Sequence, residues 1–306
     1  MIPIIALEEH FECEAFYCPP GENWATDVFG SALKQKLRSL GEERLQDMRD
    51  GGIAMQIAND QLHQAVLNHP KSFAGFAVLP MADPLAAAEE LTRCVKELKF
   101  VGALVSNHVN GQFYDGEQYH PFFERLEQLG VPLYIHPTSP TKSMMALYEG
   151  NYSEEAANIL ATFGWGWHSD AGLHILRLFL AGVFDKYPKL KIIAGHMGEM
   201  LPFSIDRFER VVTHFNLNIK RDIKTVWNEN IWITTSGMFT LTPFAAAIRS
   251  VSVDRILYSV DYPFSKYKDG LKLIETLSKS DLVTHEELEM ICYKNAEKLF
   301  GLSLEK

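Results

Sequence analysis

Eight short runs of apolar residues recur along the 306-residue chain, and segments with helical spacing separate most of them. Runs of this kind are typical of strands that are buried on both faces, as in a parallel sheet. Eight such strands alternating with helices favour closure into one barrel, and no repeat, low-complexity tract or linker divides the chain. We therefore expect residues 1–306 to form a single α/β domain with the (β/α)8 fold of a TIM-type barrel. The predicted strands are 4–7, 53–57, 73–80, 101–105, 131–135, 190–194, 231–236 and 255–261.

Two long connections leave predicted strands at their carboxyl ends. One is the N-terminal loop after His10, which is rich in aromatic residues and turn formers, and the other runs from 138 to 168 after the fifth strand. Barrel enzymes build their active sites from the loops at this end of the strands. We therefore expect the N-terminal loop and the strand-5 insertion to lie over the C-terminal face.

Composition narrows the classes of partner and the compartment. An apolar content of 47% with 22% charged residues is typical of a globular protein with a large core. The net charge of −10, from 29 basic and 39 acidic residues, argues against nucleic acid and anionic membranes as partners. An anionic substrate stays compatible with this charge, because a metal ion and a few local arginines can reverse its sign within one pocket.

The four cysteines lack the paired CxxC spacing of a zinc or redox site, and reduced thiols are the simpler expectation for a chain of this size. The apolar stretch at the N-terminus is broken by charge at Glu8, which does not fit a signal peptide. No apolar window approaches the length of a membrane span. We therefore expect a cytoplasmic protein.

The side chains at the carboxyl ends of the predicted strands are mostly carboxylates and imidazoles. The first strand runs directly into Glu8 and His10, and because side chains alternate along a strand these two point to the same side. In a barrel all strand ends of this kind converge on one face. For any one of them a solvated strand end, a packed histidine or a helix-capping aspartate is the simpler interpretation, but several together favour a site. The group comprises Glu8, His10, His136, His196, Glu199 and Asp261.

This group contains enough ligands for a metal centre. Two histidines and two carboxylates can hold one divalent ion and leave room for water or a substrate. Imidazole nitrogens and carboxylate oxygens, without a thiolate, allow zinc, manganese or iron. We expect one Zn²⁺ or Mn²⁺ ion per chain.

Motifs along nearly the whole chain resemble the metal-dependent decarboxylase branch of the amidohydrolase superfamily. This branch includes gamma-resorcylate, 2,3-dihydroxybenzoate, 5-carboxyvanillate and aminocarboxymuconate-semialdehyde decarboxylases. The Glu-Glu-His sequence at 8–10, in place of the superfamily's commoner His-x-His, is most similar to the dihydroxybenzoate decarboxylases. Each motif is short, and it is their shared order that is specific. The motifs are ALEEHF at 6–11, LPMADP at 79–84, ELTRCV at 90–95, YIHP at 134–137, HILRL at 174–178, GVFD at 182–185, GHMGE at 195–199, LP at 201–202, ITTSG at 233–237 and SVDYPF at 259–264.

The resemblance implies a role for each residue that matches the family pattern. The implied metal ligands are Glu8, His10, His136 and Asp261. The implied catalytic residues are Asp261, which would also carry the transferred proton, and the pair His196 and Glu199, which would contact the substrate beside the metal. The implied substrate-binding residues are Arg207, Arg44, Ser106 and Phe264. Arg44 could equally be a solvated helix arginine, although a two-pronged grip on a carboxylate suits an arginine.

Two departures from the family pattern bear on substrate identity. The family has a longer polar loop after the second strand, whereas here residues 57–60 run straight into the next helix. Ser106 stands where gamma-resorcylate decarboxylases have asparagine, with Asn107 one place on. His174 lies within a helical pattern, and we expect it to pack rather than to bind a metal.

Three functions are compatible with these residues. The leading hypothesis is metal-dependent, non-oxidative decarboxylation of a hydroxylated aromatic or related unsaturated acid, with Asp261 as the acid. The second is hydrolysis of a lactone or amide in the same site, with Asp261 as a general base. The third is a non-catalytic barrel that binds small acids, which is disfavoured because all four implied ligands are present. The expected partners are a small-molecule carboxylic acid and further copies of the chain, as a homodimer or homotetramer, with neither nucleic acid nor membrane.

Overall fold

All eight predicted strands are present and form one parallel sheet in sequence order. The computed structural model describes residues 2–7, 36, 46, 55–59, 62–215 and 217–304. Register pairs such as Ser106 with His136 place the carboxyl ends of neighbouring strands side by side. The strands are β1 (Ile5–Ala6), β2 (Met55–Asn59), β3 (Phe73–Ala77), β4 (Gly102–Ser106), β5 (Leu133–His136), β6 (Ile192–Ala194), β7 (Ile231–Thr234) and β8 (Ile256–Leu257).

The first strand lies beside the last. A parallel bridge joins Leu7 to Ser259. The Leu7 N–H donates to the carbonyl oxygen of Tyr258 at 3.3 Å, and the buried Ser259 hydroxyl donates to the carbonyl oxygen of Leu7. A parallel sheet whose first and last strands meet is typical of a closed β/α barrel.

Helices alternate with the strands, and their starts carry the expected capping residues. The Asp83 carboxylate accepts the N–H groups of Leu85 and Ala86 at 3.1 Å each, with a proline at the first helical position. Thr284 and Glu287 form a capping box. The described helices are α1 (Leu62–Asn68), α2 (Pro84–Lys96), α3 (His120–Leu129), α4 (Lys142–Met145), α5 (Glu154–Ala161), α6 (Gly166–Leu180), α7 (Val183–Lys186), α8 (Leu201–His214), α9 (Ile223–Asn230), α10 (Leu241–Ser250), α11 (Tyr267–Ser278), α12 (His285–Glu289) and α13 (Asn295–Phe300), with a π-helical turn at Met290–Lys294 and 3₁₀ turns at Glu117–Tyr119 and Val253–Arg255.

Alternate residues of the strands belong to different apolar clusters. One cluster takes Ile5, Tyr134 and Trp232 from the strands and fills the barrel interior, while Ile4, Ile135 and Ile233 join a larger cluster with the helices. This is the two-residue period of a strand that is buried on both faces. By the same alternation His136 shares the interior side of Tyr134, which directs it toward the mouth of the barrel.

The structure bears on several other expectations. The third, seventh and eighth strands end earlier than predicted, at Ala77, Thr234 and Leu257. The predicted helix over 31–50 is described only at Lys36 and Gln46, both helical. Cys94 and Cys292 are buried and form no disulfide with another described residue, while Cys13, Cys18 and the N-terminal loop lie outside the described residues. None of the described helices has both the length and the apolar character needed to cross a lipid bilayer.

Candidate active site

A cavity of about 460 Å³ opens at the carboxyl ends of the later strands. His136 is the last residue of β5, His196 follows β6, and Asp261 follows β8. The expectation that these strand ends meet on one face is therefore confirmed. The described lining consists of His136, Phe163, Trp167, His168, His196, Gly237, Met238, Asp261, Phe264 and Ser265.

Three of the predicted residues lie close together in this cavity. The His196 Nε2 atom is 3.9 Å from Asp261 Oδ2, and the ring centroids of His136 and His196 are 6.4 Å apart. The side chain of Asp261 is 16% exposed and that of His196 is 8% exposed, so both are largely shielded while still reaching the cavity. An acid and a base that share a partly dry pocket can exchange a proton with each other or with a bound molecule.

Glu199 lies behind His196 and contacts two histidines. Its Oε1 is 2.7 Å from His196 Nδ1, and its Oε2 is 2.9 Å from Nδ1 of His168. Burial by itself would raise the pKa of the Glu199 carboxyl, but the neighbouring charge of His196 and the hydrogen bonds from both histidines outweigh it and lower the pKa to about 2. Glu199 is therefore an ionised acceptor, and each histidine presents Nδ1–H to it.

The backbone that carries this pair is left-handed. From His196 to Met200 the φ angles are 45°, 58°, 85°, 51° and 65°. The Gly195 carbonyl oxygen accepts the N–H groups of Gly198 at 2.7 Å and Glu199 at 3.2 Å. Left-handed backbone costs about 1–2 kcal/mol for each non-glycine residue, and such conformations cluster at functional sites where the surroundings enforce them. The turn brings Glu199 Oε1 within hydrogen-bonding distance of His196 Nδ1, three residues back in the chain.

His168 is the functional candidate that sequence reasoning missed. It lies in α6, lines the cavity and bonds Glu199, which is 31 positions away in the chain. Its position at the end of the strand-5 insertion was a weak signal. The side of a helix that meets another loop depends on packing, which no local pattern of residues reveals.

The other predicted residues differ in where the structure places them. Phe264 lines the cavity and is 37% exposed. Ser106 lines a second cavity of about 580 Å³ at the ends of β3, β4 and β5. Arg207 is exposed on α8, apart from the described lining of the first cavity. Glu8, His10 and Arg44 lie outside the described residues.

His174 packs in the protein interior, as expected. It is fully buried, and its Nε2 accepts the Tyr114 N–H at 3.2 Å. Its ring lies 5.3 Å from that of Phe113 and 4.9 Å from that of Tyr114, measured between centroids.

Two sets of described side chains could hold a metal ion. His136 and Asp261 face the first cavity with a nitrogen and a carboxylate, the donor types that zinc and manganese accept. His168, His196 and Glu199 form the other set, with ligand atoms within 4.8 Å of one another. In the second set the Nδ1 atoms and carboxylate oxygens already pair at hydrogen-bonding distances, which leaves the first set better suited to an ion.

The chain is similar to known decarboxylases over nearly its whole length. The profile of the family described as Amidohydrolase (Amidohydro_2) matches residues 38–302. The chain is 43% identical to the decarboxylase orsB of Emericella nidulans, with 99% of this chain and 98% of that protein covered. The structure of a 2,6-dihydroxybenzoate decarboxylase complexed with 2,6-dihydroxybenzoate matches at a TM-score of 0.86 with 32% identity, covering 99% of this chain and 100% of the other. A dihydroxybenzoic acid decarboxylase from Polaromonas, with bound manganese and 2-nitroresorcinol, matches at a TM-score of 0.84 with 34% identity, covering 98% and 97% respectively. The chain therefore belongs to the amidohydrolase family.

Proposed function

We propose that the protein catalyses metal-dependent, non-oxidative decarboxylation of a hydroxylated aromatic or related unsaturated carboxylic acid. The observation that carries this proposal is a single cavity that combines aromatic walls with an acid–base pair, Asp261 and His196. Relatives named as decarboxylases over nearly the whole chain length support it. They also favour decarboxylation over hydrolysis of a lactone or amide.

The cavity suits a substituted benzoate. Its volume of about 460 Å³ lies within the usual range of small-molecule pockets. Phe163, Trp167 and Phe264 supply flat apolar surfaces for an aromatic ring, and Met238 adds an adaptable one. His136, His196 and Asp261 supply polar groups to the same cavity. An acid would therefore bind with its carboxylate toward these three residues.

We propose that Glu8, His10, His136 and Asp261 hold one divalent ion. The position of His136 and Asp261 on one cavity, and their nitrogen and oxygen donors, support this set. When bound, the ion would supply a positive charge for the substrate carboxylate and its neighbouring hydroxyl oxygen. Zinc and manganese both suit the donors, and a manganese-bound relative favours manganese.

The proposed chemistry replaces a carboxylate by a proton on the ring. Asp261 gives its proton to the carbon that bears the carboxylate, which interrupts the aromaticity of the ring. The bond to the carboxylate then breaks, its electron pair restores the aromatic ring, and carbon dioxide leaves. One proton is consumed overall. His196, whose Nε2 lies 3.9 Å from Asp261 Oδ2, is placed to return it, while Glu199 keeps the His196 ring in orientation.

The remaining roles belong to the same proposal. Arg207, Arg44 and Ser106 stay proposed as substrate contacts, although Arg207 lies apart from the described lining of the first cavity and Ser106 lines the second. We also propose one domain over 1–306, with the N-terminal loop and strand-5 insertion over the C-terminal face of a TIM-type barrel. The proposed position of the strand-5 insertion is supported by Phe163 and Trp167, which lie near the end of that insertion and line the cavity.

The activity test uses metal-loaded protein and a panel of dihydroxybenzoates and 5-carboxyvanillate. We expect release of carbon dioxide together with the matching phenol for at least one acid. Elemental analysis without added metal should find one divalent ion per chain, and chelation should abolish turnover until the ion is restored. Silence across the panel with metal bound would contradict decarboxylation, and hydrolysis of lactones without carbon dioxide would favour the alternative.

A further inference from the structure

His168 bonds Glu199 and also lies against the His196 ring, with the two ring centroids 4.5 Å apart. We propose that His168 is a positioning residue, which holds the Glu199 carboxylate in place and through it fixes the ring of His196. The catalytic consequence rests on the proposed function, whereas the geometric part does not.

The Glu199 carboxylate has a histidine partner at each of its two oxygens. Its side chain is completely buried, with Oε1 bonded to His196 and Oε2 bonded to His168. No other described side chain donates to Oε2. A buried carboxylate oxygen that loses its donor keeps the full penalty of its desolvation. Without His168, the carboxylate would therefore turn or shift to find a new partner, and the bond at Oε1 would change with it.

The His168 ring has a close polar contact at each of its two nitrogens. Its Nδ1 lies 2.9 Å from Glu199 Oε2, and its Nε2 lies 3.3 Å from the carbonyl oxygen of Phe163. The ionised Glu199 carboxylate can only accept, so the His168 nitrogen that faces it, Nδ1, carries the N–H. The ring is thereby fixed in orientation, and its side chain is only 11% exposed.

A second, independent contact from α6 holds the main chain of Glu199. A Cβ atom at Gly172 would lie 2.5 Å from the carbonyl oxygen of Glu199, so only glycine permits this close approach. His168 and Gly172 are four residues apart and share one face of α6. One helix face therefore holds both the side chain and the backbone of Glu199, at a left-handed turn that needs external support.

The proposed effect of His168 is on the orientation of the His196 ring. Because its Nδ1–H is committed to Glu199, its Nε2 is the nitrogen that faces Asp261 and the cavity. A ring that is free to rotate would present that nitrogen less often. Loss of the partner that orients a metal-ligating histidine typically costs about 10–100-fold in activity, and we expect a loss of the same order for the acid–base histidine His196. We expect that loss mainly in kcat, because the hydrogen bond from His168 to Glu199 orients an acid–base group, while the part of the ring that lines the cavity affects KM only to a small extent.

The test compares two isosteric substitutions. Asparagine at position 168 keeps an N–H donor at the δ position. Leucine at the same position has the branched shape of asparagine but no donor. We expect His168→Leu to lower kcat by about 10–100-fold with KM within about threefold, and His168→Asn to restore most of the loss. Gly172→Ala disturbs the Glu199 backbone without touching His168 and should lower kcat similarly. His174→Gln, in the same helix but away from Glu199, should leave kcat unchanged.

A proton NMR readout does not depend on turnover. The His196 Nδ1–H to Glu199 bond should give a downfield imidazole resonance, assigned by its absence in His196→Asn. That resonance should be lost or shifted in His168→Leu and retained in His168→Asn. If the wild-type protein decarboxylates nothing, the proposed function fails while this readout still decides the role of His168. A His168→Leu protein with wild-type kcat, or with an unchanged resonance, would overturn the proposal, as would equal losses in the Leu and Asn variants.

Discussion

Single residues in the cavity should separate by what each substitution removes. Asp261→Asn keeps the shape and one oxygen but lacks a transferable proton, so we expect turnover to vanish even where metal remains bound. His136→Ala should lose metal and activity together. His196→Asn should keep metal near the normal content while kcat falls by about 10²–10⁴-fold, as for a lost acid–base group. Metal content by elemental analysis and kcat on the best acid of the panel measure both effects.

The opposite pattern would overturn the assignment of these residues. Loss of metal in His196→Asn, with retention in His136→Ala, would mean that His196 binds the metal and that His136 takes part in proton transfer. Asparagine is preferred to alanine at position 196, because asparagine keeps a polar group against the buried Glu199 carboxylate.

His174 supplies a prediction about pH and stability. Burial, reinforced by the nearby Arg177 charge, lowers the pKa of His174 to about 3. Between that value and its ordinary pKa near 6.5 the unfolded chain binds a proton that the folded chain refuses, so stability falls as the pH is lowered through this range. From about pH 7 to about pH 5 this group alone should remove about 2 kcal/mol of unfolding free energy. Urea titrations of wild type and His174→Gln at both pH values would measure it. An equal pH dependence in the two proteins would contradict the prediction.

At the scale of elements, Asn230 joins two strand starts at the end of the barrel opposite the cavity. It is 1% exposed, its Nδ2 donates to the carbonyl oxygens of Pro188 at 2.9 Å and Leu190 at 2.6 Å, and its Oδ1 accepts from Arg221 at 2.8 Å. These contacts anchor the chain just before β6 to the junction of α9 and β7. At this end of a barrel such residues serve stability rather than catalysis.

Asn230→Ala should therefore lower the unfolding free energy by about 2–3 kcal/mol, because buried carbonyl groups lose their donor. We expect kcat to stay at the wild-type value. Asn228→Ala is the matched control, since Asn228 is an exposed residue of the same helix whose amide donates to the Lys224 carbonyl oxygen and accepts the Ser252 N–H. Both contacts are exposed, so their loss should cost less than about 1 kcal/mol. Denaturant titration and kcat measure the two effects. Equal destabilisation by the two variants would remove the special role of Asn230.

At the scale of the whole molecule, several large apolar side chains are exposed on or next to helices α6 and α8. Helices α6 and α8 lie side by side, with the rings of Phe179 and Phe208 6.0 Å apart. Phe203 and Phe215, on and just after α8, are 93% and 69% exposed, and Leu173 on α6 is 45% exposed. Exposed apolar groups on neighbouring helices favour a protein–protein contact. A homo-oligomer, as a dimer or tetramer, is therefore our proposal for the protein in solution.

Light scattering coupled to size exclusion should give a mass of at least twice 34.7 kDa. Phe203→Glu should shift the mass toward the monomer, because a charge cannot be buried in an apolar contact without a partner. Leu85→Glu places the same charge at another exposed leucine, 62% exposed on α2, and should leave the mass unchanged. A monomeric wild-type protein, or dissociation by both substitutions, would contradict this surface.

The strands and the residues at their carboxyl ends were predictable from local patterns. A run such as Leu133–His136 reads as a buried strand whatever lies elsewhere in the chain, and alternation assigns the direction of its last side chain. Parallel strands in a closed barrel then bring His136, His196 and Asp261 to one face without further information. The end of the eighth strand was overestimated, because apolar residues continue past Leu257 into the bridge at Ser259.

The clamp on Glu199 depended on the tertiary structure. His168 meets Glu199 across 31 positions of sequence, and the side that α6 turns toward the left-handed turn results from helix packing. The same holds for Gly172, which reads as an ordinary small residue until the Glu199 carbonyl oxygen is seen against it. Side chains alternate along a strand, so the sequence pattern shows which of them share a face. Side chains of a helix point in several directions around its axis, and packing against neighbouring elements decides which of them meet another segment. The position of His196 and Asp261 at strand ends can therefore be predicted from the sequence, whereas the contacts that hold His196 and Glu199 in place are known only from the tertiary structure.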